Sequence, residues 1–124
     1  MQTPFLGLRT SIYKVADLAK AKDWYSHVLQ IQPYFDEPFY VGFNVAGYEL
    51  GLQPDDNAAA RVGEGVVTYW GVTDVQSTYQ TLLQLGAAPH EAPTEVGGGI
   101  VVATVKDPWG NPFGIIHNPH FKLS

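Results

Sequence analysis

The chain has 124 residues, which fits one domain spanning residues 1–124. Hydrophobic residues make up 45% and charged residues 15%, as in packed globular proteins. The net charge of −5 argues against binding to nucleic acid or to an anionic membrane, because both require a basic face. The absence of cysteine excludes disulfides, thiolate nucleophiles and zinc–thiolate sites. Without a signal-peptide pattern or a long apolar run, we expect a cytoplasmic protein.

The first half of the chain predicts the element order β-α-β-β-β. A strand over residues 8–15 precedes Asp17, a good helix N-cap, and apolar residues at helical spacing over 18–29. Three further strands follow, separated by turn residues, at 33–36, 39–45 and 48–53. We therefore take residues 6–53 as module one. The Pro-, Asp-, Asn- and Gly-containing stretch 54–65 is a linker.

The second half, module two over residues 66–118, repeats this order. A strand at 66–72 carries Trp70, which we expect in the core beneath the next helix. Asp74 caps that helix, which runs over 75–85, and Gly86 closes it.

A hairpin closes module two. Residues 89–93 form a short extended piece, and Gly97–Gly99 form a turn that could act as the hinge of a lid. The two closing strands flank the turn Asp107-Pro108-Trp109-Gly110-Asn111, in which Gly110 is free to take a positive φ.

Two such modules have a simple packing solution. Each small sheet covers one face with its helix and needs its counterpart to cover the other. The predicted fold class is therefore α+β, with two tandem β-α-β-β-β modules whose curved mixed sheets enclose a cleft lined by alternate strand residues.

Two motifs resemble those of the vicinal oxygen chelate superfamily, which includes glyoxalase I, bleomycin-resistance proteins and extradiol dioxygenases. The first motif is Val15-Ala16-Asp17-Leu18 with Trp24-Tyr25 and Val28-Leu29. The second is the turn Asp107-Pro108-Trp109-Gly110-Asn111-Pro112. Together with the repeat, the resemblance covers the chain from Leu8 to about Asn118, and it implies a fold more strongly than a chemistry.

The resemblance places the family's four metal-ligand positions at Thr10, Glu49, Val67 and Gly114. Only Glu49 is a good ligand among them, whereas a stable transition-metal site needs at least three. We therefore expect no cofactor and a type close to the metal-free bleomycin-resistance proteins. A divalent metal completed from a partner chain is the alternative.

The candidate site residues come from the resemblance, which implies Thr10, Val67 and Gly114, and from strand alternation and the turn motif. Glu49 is expected to point into the cleft, either as a hydrogen-bond acceptor or general base, or as a carboxylate at the wet cleft mouth with no role. Trp109 could stack on a planar ligand or simply anchor its loop. The predicted ligand-binding residues are Thr10, Ile12, Tyr40, Phe43, Glu49, Gly51, Val67, Tyr69, Trp109 and Gly114.

The four histidines do not show a metal-binding spacing. His117 is expected to face away from the cleft because of its phase on the last strand. His27 lies on the first helix, His120 lies in the C-terminal tail, and the sequence assigns no role to His90.

These features favour a small-molecule-binding protein of the glyoxalase/bleomycin-resistance type without a catalytic metal. The alternative is a glyoxalase-like lyase or isomerase that uses Glu49 as base or metal ligand. Open sheet edges and apolar flanking residues, Pro4-Phe5-Leu6 and Phe121, which have no partner within one module, predict a two-fold symmetric homodimer.

Overall fold

The computed structural model describes residues 3–57, 65–106, 108–109 and 111–123. In this part of the chain, eight strands and two helices follow one another as two β-α-β-β-β repeats. The first repeat comprises β1 (Phe5–Val15), α1 (Leu18–Leu29), β2 (Phe35–Glu37), β3 (Tyr40–Val45) and β4 (Tyr48–Pro54). The second comprises β5 (Val66–Val72), α2 (Val75–Gln84), β6 (Ala88–Gly97), β7 (Ile100–Lys106) and β8 (Pro112–His117). The predicted α+β class and the duplicated order are confirmed.

The chain forms two compact units, each with a mixed four-stranded sheet. The first unit contains Thr10–Val67, and its strands are ordered β2-β3-β4-β1 with a parallel β1–β4 pair. The second unit contains Met1–Arg9 and Thr68–Phe121, and its strands are ordered β5-β8-β7-β6 with a parallel β5–β8 pair. The other neighbouring pairs within each unit are antiparallel.

Helix α1 begins where the sequence predicts. The Asp17 Oδ1 accepts a hydrogen bond from the Lys20 N–H at 3.1 Å, and Gln30 ends the helix in the left-handed conformation with φ 58°. Apolar residues of α1 pack against the fully buried core residues Val41, Phe43 and Leu52. Because α1 covers this face, the residues of opposite phase in β3 and β4 face away from it.

Helix α2 repeats the arrangement in the second unit. The Asp74 Oδ1 accepts from the Ser77 N–H at 3.0 Å, and Gly86 follows the helix with φ 106°. Its apolar face packs on a core of Val72, Val75, Tyr79, Ala103, Val105 and Ile115. In the described residues, no helix is long and apolar enough to cross a membrane.

The ends of the chain differ from the prediction. Strand β1 begins at Phe5 rather than at residue 8, and the Phe5 ring meets that of Phe113 edge to face at 6.0 Å. The Arg9 guanidinium lies 3.7 Å from the ring centroid of Phe121. The expectation that Phe5 and Phe121 have no partner within one half was therefore wrong.

The second unit brings two further corrections. Trp70 is 36% exposed and stacks on Phe113 at 6.4 Å, rather than lying in the core. The predicted piece at 89–93 belongs to the ten-residue strand β6. The turn Gly97–Gly99 connects β6 to β7 with three positive φ angles, of 114°, 62° and 81°. Residues 58–64 of the predicted linker, and Asp107 and Gly110 of the Asp-Pro turn, lie outside the described residues.

Candidate functional site

The first unit presents a carboxylate on the sheet face opposite α1. Glu49 pairs in register with Thr10 across β1 and β4, and the Thr10 hydroxyl donates to Glu49 Oε1 at 2.8 Å. Leu50, the next residue, packs on the core beneath α1, so alternation directs Glu49 to the other face. Thr10 is buried, whereas Glu49 remains partly accessible. This places an anionic group on the face of the β1–β4 pair that α1 does not cover.

Two tyrosines complete the surroundings of this carboxylate. The Tyr34 hydroxyl donates to Glu49 Oε2, and the Tyr40 phenol lies close to the Glu49 carboxylate. Burial, the hydrogen bond to Glu49 and its negative charge raise the pKa of Tyr34 above its usual value. Burial and the Glu49 charge raise the pKa of Tyr40 likewise. Both phenols therefore remain protonated donors at neutral pH, and we call Thr10, Tyr34, Tyr40 and Glu49 the Glu49 cluster.

Two glycines give the Glu49 cluster its space. A Cβ at Gly51 would lie 2.0 Å from the Tyr40 hydroxyl oxygen. A Cβ at Gly42 would lie 2.8 Å from Glu49 Oε2 and 3.0 Å from the Tyr34 ring. Gly42 and Gly51 are opposite each other in the β3–β4 pair. The side chains of the Glu49 cluster can therefore lie against the backbone only because this pair carries no Cβ.

The second unit carries a separate polar row on its sheet. Tyr69 in β5, Gly114 in β8 and Thr104 in β7 are register partners across the sheet. A Cβ at Gly114 would lie 2.6 Å from the Tyr69 ring, so the ring occupies the place of a side chain there. Burial, together with the charge of Glu91, raises the pKa of Tyr69 to about 12.

The predicted site residues fall into three groups. Thr10, Tyr40, Glu49 and Gly51 come together in the first unit, and Tyr69 and Gly114 come together in the second. Ile12 pairs with Gly51 in register and shares the phase of Thr10. Val67 is buried in β5. Trp109 is 82% exposed in its turn, and its role in ligand binding stays a prediction.

The prediction that Phe43 lines the ligand site was wrong. Phe43 is fully buried in the core beneath α1, with neighbours that include Leu18, Ala21 and Tyr25. Tyr40 and Gly42 share one phase of β3, and Phe43 has the other. Tyr40 and Phe43 therefore cannot both line the same face of this strand.

Two residues at this site were not predicted, Tyr34 within the Glu49 cluster and Gly42 beside it. The sequence predicted a strand over 33–36, but β2 begins at Phe35, so strand alternation gives no direction for the Tyr34 side chain. Gly42 shares the phase of Tyr40 and faces Gly51, and this pairing of two glycines was the available signal.

The residues at the family's metal-ligand positions do not fit a transition metal. Thr10 offers a hydroxyl and Glu49 a carboxylate, whereas Val67 and Gly114 offer no side-chain donor. Within the described ranges, no three His, Cys, Asp or Glu side chains are grouped so that they could hold a metal ion.

The raised tyrosine pKa values predict a titration and a stability change at high pH. Tyr69 should ionise near pH 12, and Tyr34 and Tyr40 should ionise later than an ordinary tyrosine, with a pKa of about 10. Since the folded state holds these protons more tightly than the unfolded chain, the contribution of these tyrosines to stability should be fully present below about pH 10 and should be lost above it. Ultraviolet absorbance of tyrosinate measures the titration, and urea unfolding at the same pH values measures the stability. Glu49→Gln should bring the pKa of Tyr34 and that of Tyr40 closer to 10, and a wild-type titration complete near pH 10 would contradict the prediction.

Comparison with known families gives one match that covers most of the chain. The sequence model of the Glyoxalase/Bleomycin resistance protein/Dioxygenase superfamily matches residues 10–115. Among curated proteins, the sequence comparison finds no match.

Several solved structures share the fold at low sequence identity. A glyoxalase/bleomycin resistance protein/dioxygenase superfamily member from Vibrio splendidus 12B01 is 18% identical, with a TM-score of 0.68 over 90% of this chain and 99% of that one. Methylmalonyl-CoA epimerase from Mycobacterium tuberculosis is 18% identical, with a TM-score of 0.71 over 94% and 91%. The Streptomyces coelicolor epimerase, in complex with 2-nitronate-propionyl-CoA, is 15% identical, with a TM-score of 0.75 over 97% and 99%. At such identities the likeness concerns the fold.

Proposed function

The chain belongs to the Glyoxalase/Bleomycin resistance protein/Dioxygenase superfamily, and we propose that it is a small-molecule-binding member that works without a catalytic metal. The observation that supports this most is the convergence of the Thr10 and Tyr34 hydroxyls on the carboxylate of Glu49, with the Tyr40 phenol close by. Such a preorganised polar group on a sheet face is typical of the few polar anchors that orient a ligand in a mostly apolar site.

The hydrogen-bonding capacity of the Glu49 cluster indicates the class of ligand. An ionised carboxylate has about four acceptor positions, and the Thr10 and Tyr34 hydroxyls occupy two of them. The hydroxyl protons of Thr10 and Tyr34 are used internally, so Glu49 offers a negative charge and its remaining acceptor positions to a ligand. We propose a ligand with a cationic or hydrogen-bond-donating group, which also suits a chain of net charge −5.

The alternative function is a glyoxalase-like lyase or an isomerase in which Glu49 is the base. Its support is the fold shared with the methylmalonyl-CoA epimerases at 15–18% identity. The geometry of the Glu49 cluster favours this enzymatic function less than ligand binding, because Glu49 Oε1 and Oε2 already accept hydroxyl protons. A substrate proton would have to displace a hydroxyl or use the remaining acceptor position.

Glu49→Gln should weaken ligand binding while preserving the fold. The amide keeps the size of the side chain but loses the charge, which removes a charge-assisted hydrogen bond worth about 1–3 kcal/mol, or about 5- to 150-fold in Kd. A thermal-shift screen of small amines, amides and alcohols identifies ligands, since binding to the native state raises the melting temperature. Calorimetry then compares the variants for each compound found.

The control for this substitution is Glu37→Gln, which makes the same charge change on the exposed strand β2 of the same unit. Glu37→Gln should leave Kd unchanged. If both variants bind as the wild type does, Glu49 is not a ligand contact and the proposed site is wrong.

Metal content separates the binding function from metal-dependent chemistry. Protein purified without chelator should contain Zn, Ni, Mn and Fe well below one ion per chain, because Glu49 is the only strong donor at the four family positions. Elemental analysis of dialysed protein measures this. A content of about one ion per chain, lost together with ligand binding on chelation, would favour the metal-dependent alternative completed by a partner chain.

The homodimer and the cytoplasmic location expected from the sequence stay predictions. We propose the homodimer on the open sheet edges alone, because Phe5 and Phe121 have partners within the chain. The cytoplasmic location is proposed from the sequence pattern.

A further inference from the structure

Strand β6 contains a bulge that brings two consecutive side chains to the same partner. Pro89 pairs with Val105 and Glu91 with Thr104, so β6 advances two residues where β7 advances one, and His90 is the extra residue. In a regular strand, His90 and Glu91 would point to opposite faces. Here His90 Nδ1 lies 2.9 Å, and Glu91 Oε1 3.3 Å, from the same Thr104 hydroxyl oxygen. Bulges are frequent where a strand must redirect a side chain at a functional site.

The three side chains fix the direction of the hydrogen bonds. A carboxylate can only accept, so the single Thr104 hydroxyl proton is donated to Glu91. The Thr104 oxygen must then accept from His90, which puts the imidazole proton on Nδ1. The other ring nitrogen, Nε2, keeps its lone pair, and the neutral imidazole becomes an acceptor at that position.

This chain of hydrogen bonds is buried at Thr104 and exposed at His90. Thr104 is 1% exposed, whereas the His90 side chain is 38% exposed. Thr104 is also the register partner of Gly114, over which the Tyr69 ring lies. The imidazole is thus an anchored and accessible group at one end of the polar row of the second unit, which continues through Thr104 and Gly114 to Tyr69.

We propose that His90 is a binding residue whose Nε2 accepts a hydrogen bond from an alcohol, phenol or amine group of a bound molecule, on the polar row of the second unit. The Thr104–Glu91 pair acts as a positioning device that selects the tautomer. The proposal concerns a different unit from the Glu49 cluster and does not depend on it. The test of the Glu49 cluster with Glu49→Gln and the tests of His90 below therefore have independent outcomes.

The first test reads the tautomer directly. Long-range proton–nitrogen NMR at about pH 8.5, two units above the usual histidine pKa of about 6.5, distinguishes protonated from unprotonated ring nitrogens. His90 should carry its proton on Nδ1. His120 is the internal reference for the opposite tautomer, because its Nε2 lies 2.8 Å from the Gly98 carbonyl oxygen, which can only accept.

Variants of Thr104 show whether the hydroxyl sets the tautomer. Thr104→Val should shift the His90 proton towards Nε2, and Thr104→Ser, which keeps the hydroxyl, should retain it on Nδ1. If Thr104→Val does not fold, the wild type and Thr104→Ser still decide the assignment. A wild-type His90 with its proton on Nε2 would overturn the proposal.

The second test asks whether Nε2 is used for binding. Titration with phenol should move the His90 Nε2 resonance to a plateau, whereas anisole, which has a similar shape but no donor, should leave it in place. His90→Phe should abolish saturable phenol binding, observed on the phenol signals, while Glu37→Gln should not affect it. If phenol and anisole give the same response, or neither gives any, His90 does not bind a donor group and the inference is wrong.

Discussion

Replacing Phe43 by alanine should lower the free energy of unfolding by about 3–5 kcal/mol, a large part of the stability of a small domain. The Phe43 side chain is fully buried among Val41, Leu52 and the apolar face of α1. Its removal loses the transfer free energy of the ring and leaves a cavity that a sheet and a helix cannot readily close. Urea unfolding followed by far-ultraviolet circular dichroism measures the change.

Phe39→Ala is the matched control for this substitution. Phe39 is exposed and contacts the Phe35 ring edge to face at 5.9 Å, so its removal should cost less than about 1.5 kcal/mol. Equal costs for Phe43→Ala and Phe39→Ala would mean that Phe43 is not part of the core, and would restore it as a candidate wall residue.

Gly51→Ala should destabilise the protein by about 1–3 kcal/mol and disrupt the Glu49 cluster. A Cβ at residue 51 would lie 2.0 Å from the hydroxyl oxygen and 2.6 Å from the Cζ of Tyr40, so the ring must move. The displaced phenol then leaves Glu49, and any ligand identified with the wild type should bind more weakly. Urea unfolding and calorimetry give the two quantities.

A double substitution tests whether the clash with the Tyr40 ring causes the destabilisation by Gly51→Ala. In a Tyr40→Ala background the obstructing ring is gone, so adding Gly51→Ala should cost at least about 0.5 kcal/mol less than it does in the wild type. Gly65→Ala controls for the general effect of replacing a glycine, because a Cβ there has no neighbour closer than 3.5 Å. If Gly51→Ala costs no more than Gly65→Ala, the space at Gly51 is not required by Tyr40.

The fold could be predicted from local signals. Asp17 and Asp74 both cap their helices as predicted, because a short acceptor side chain before an apolar-periodic stretch has few other uses. The strand limits were less accurate at the N-terminus, where β1 begins at Phe5 rather than at residue 8 and includes Gly7 with φ 111°. Phe5 continues the strand because it packs on Phe113, a contact between residues far apart in the sequence.

The site could be predicted only where strands are regular. Alternation on β4 and the family motif on β1 selected Glu49 and Thr10, and the two side chains meet because these strands pair in register. Alternation could not give the side-chain direction of Tyr34, which precedes β2, or of His90, where the bulge breaks the two-residue period. Contacts such as that between Thr104 and His90 depend on the register of two strands, which a single sequence does not specify.

The positions of the tryptophans determine what intrinsic fluorescence can report about the unfolding of this protein. Trp109 is 82% exposed and Trp24 60%, so the emission of these two indoles is already that of a hydrated ring in the native state. Trp70 stacks on Phe113 at 6.4 Å and is the indole whose surroundings change most on unfolding. Intrinsic fluorescence will therefore report the opening of the second unit on a large constant background, and it will be nearly silent about the first.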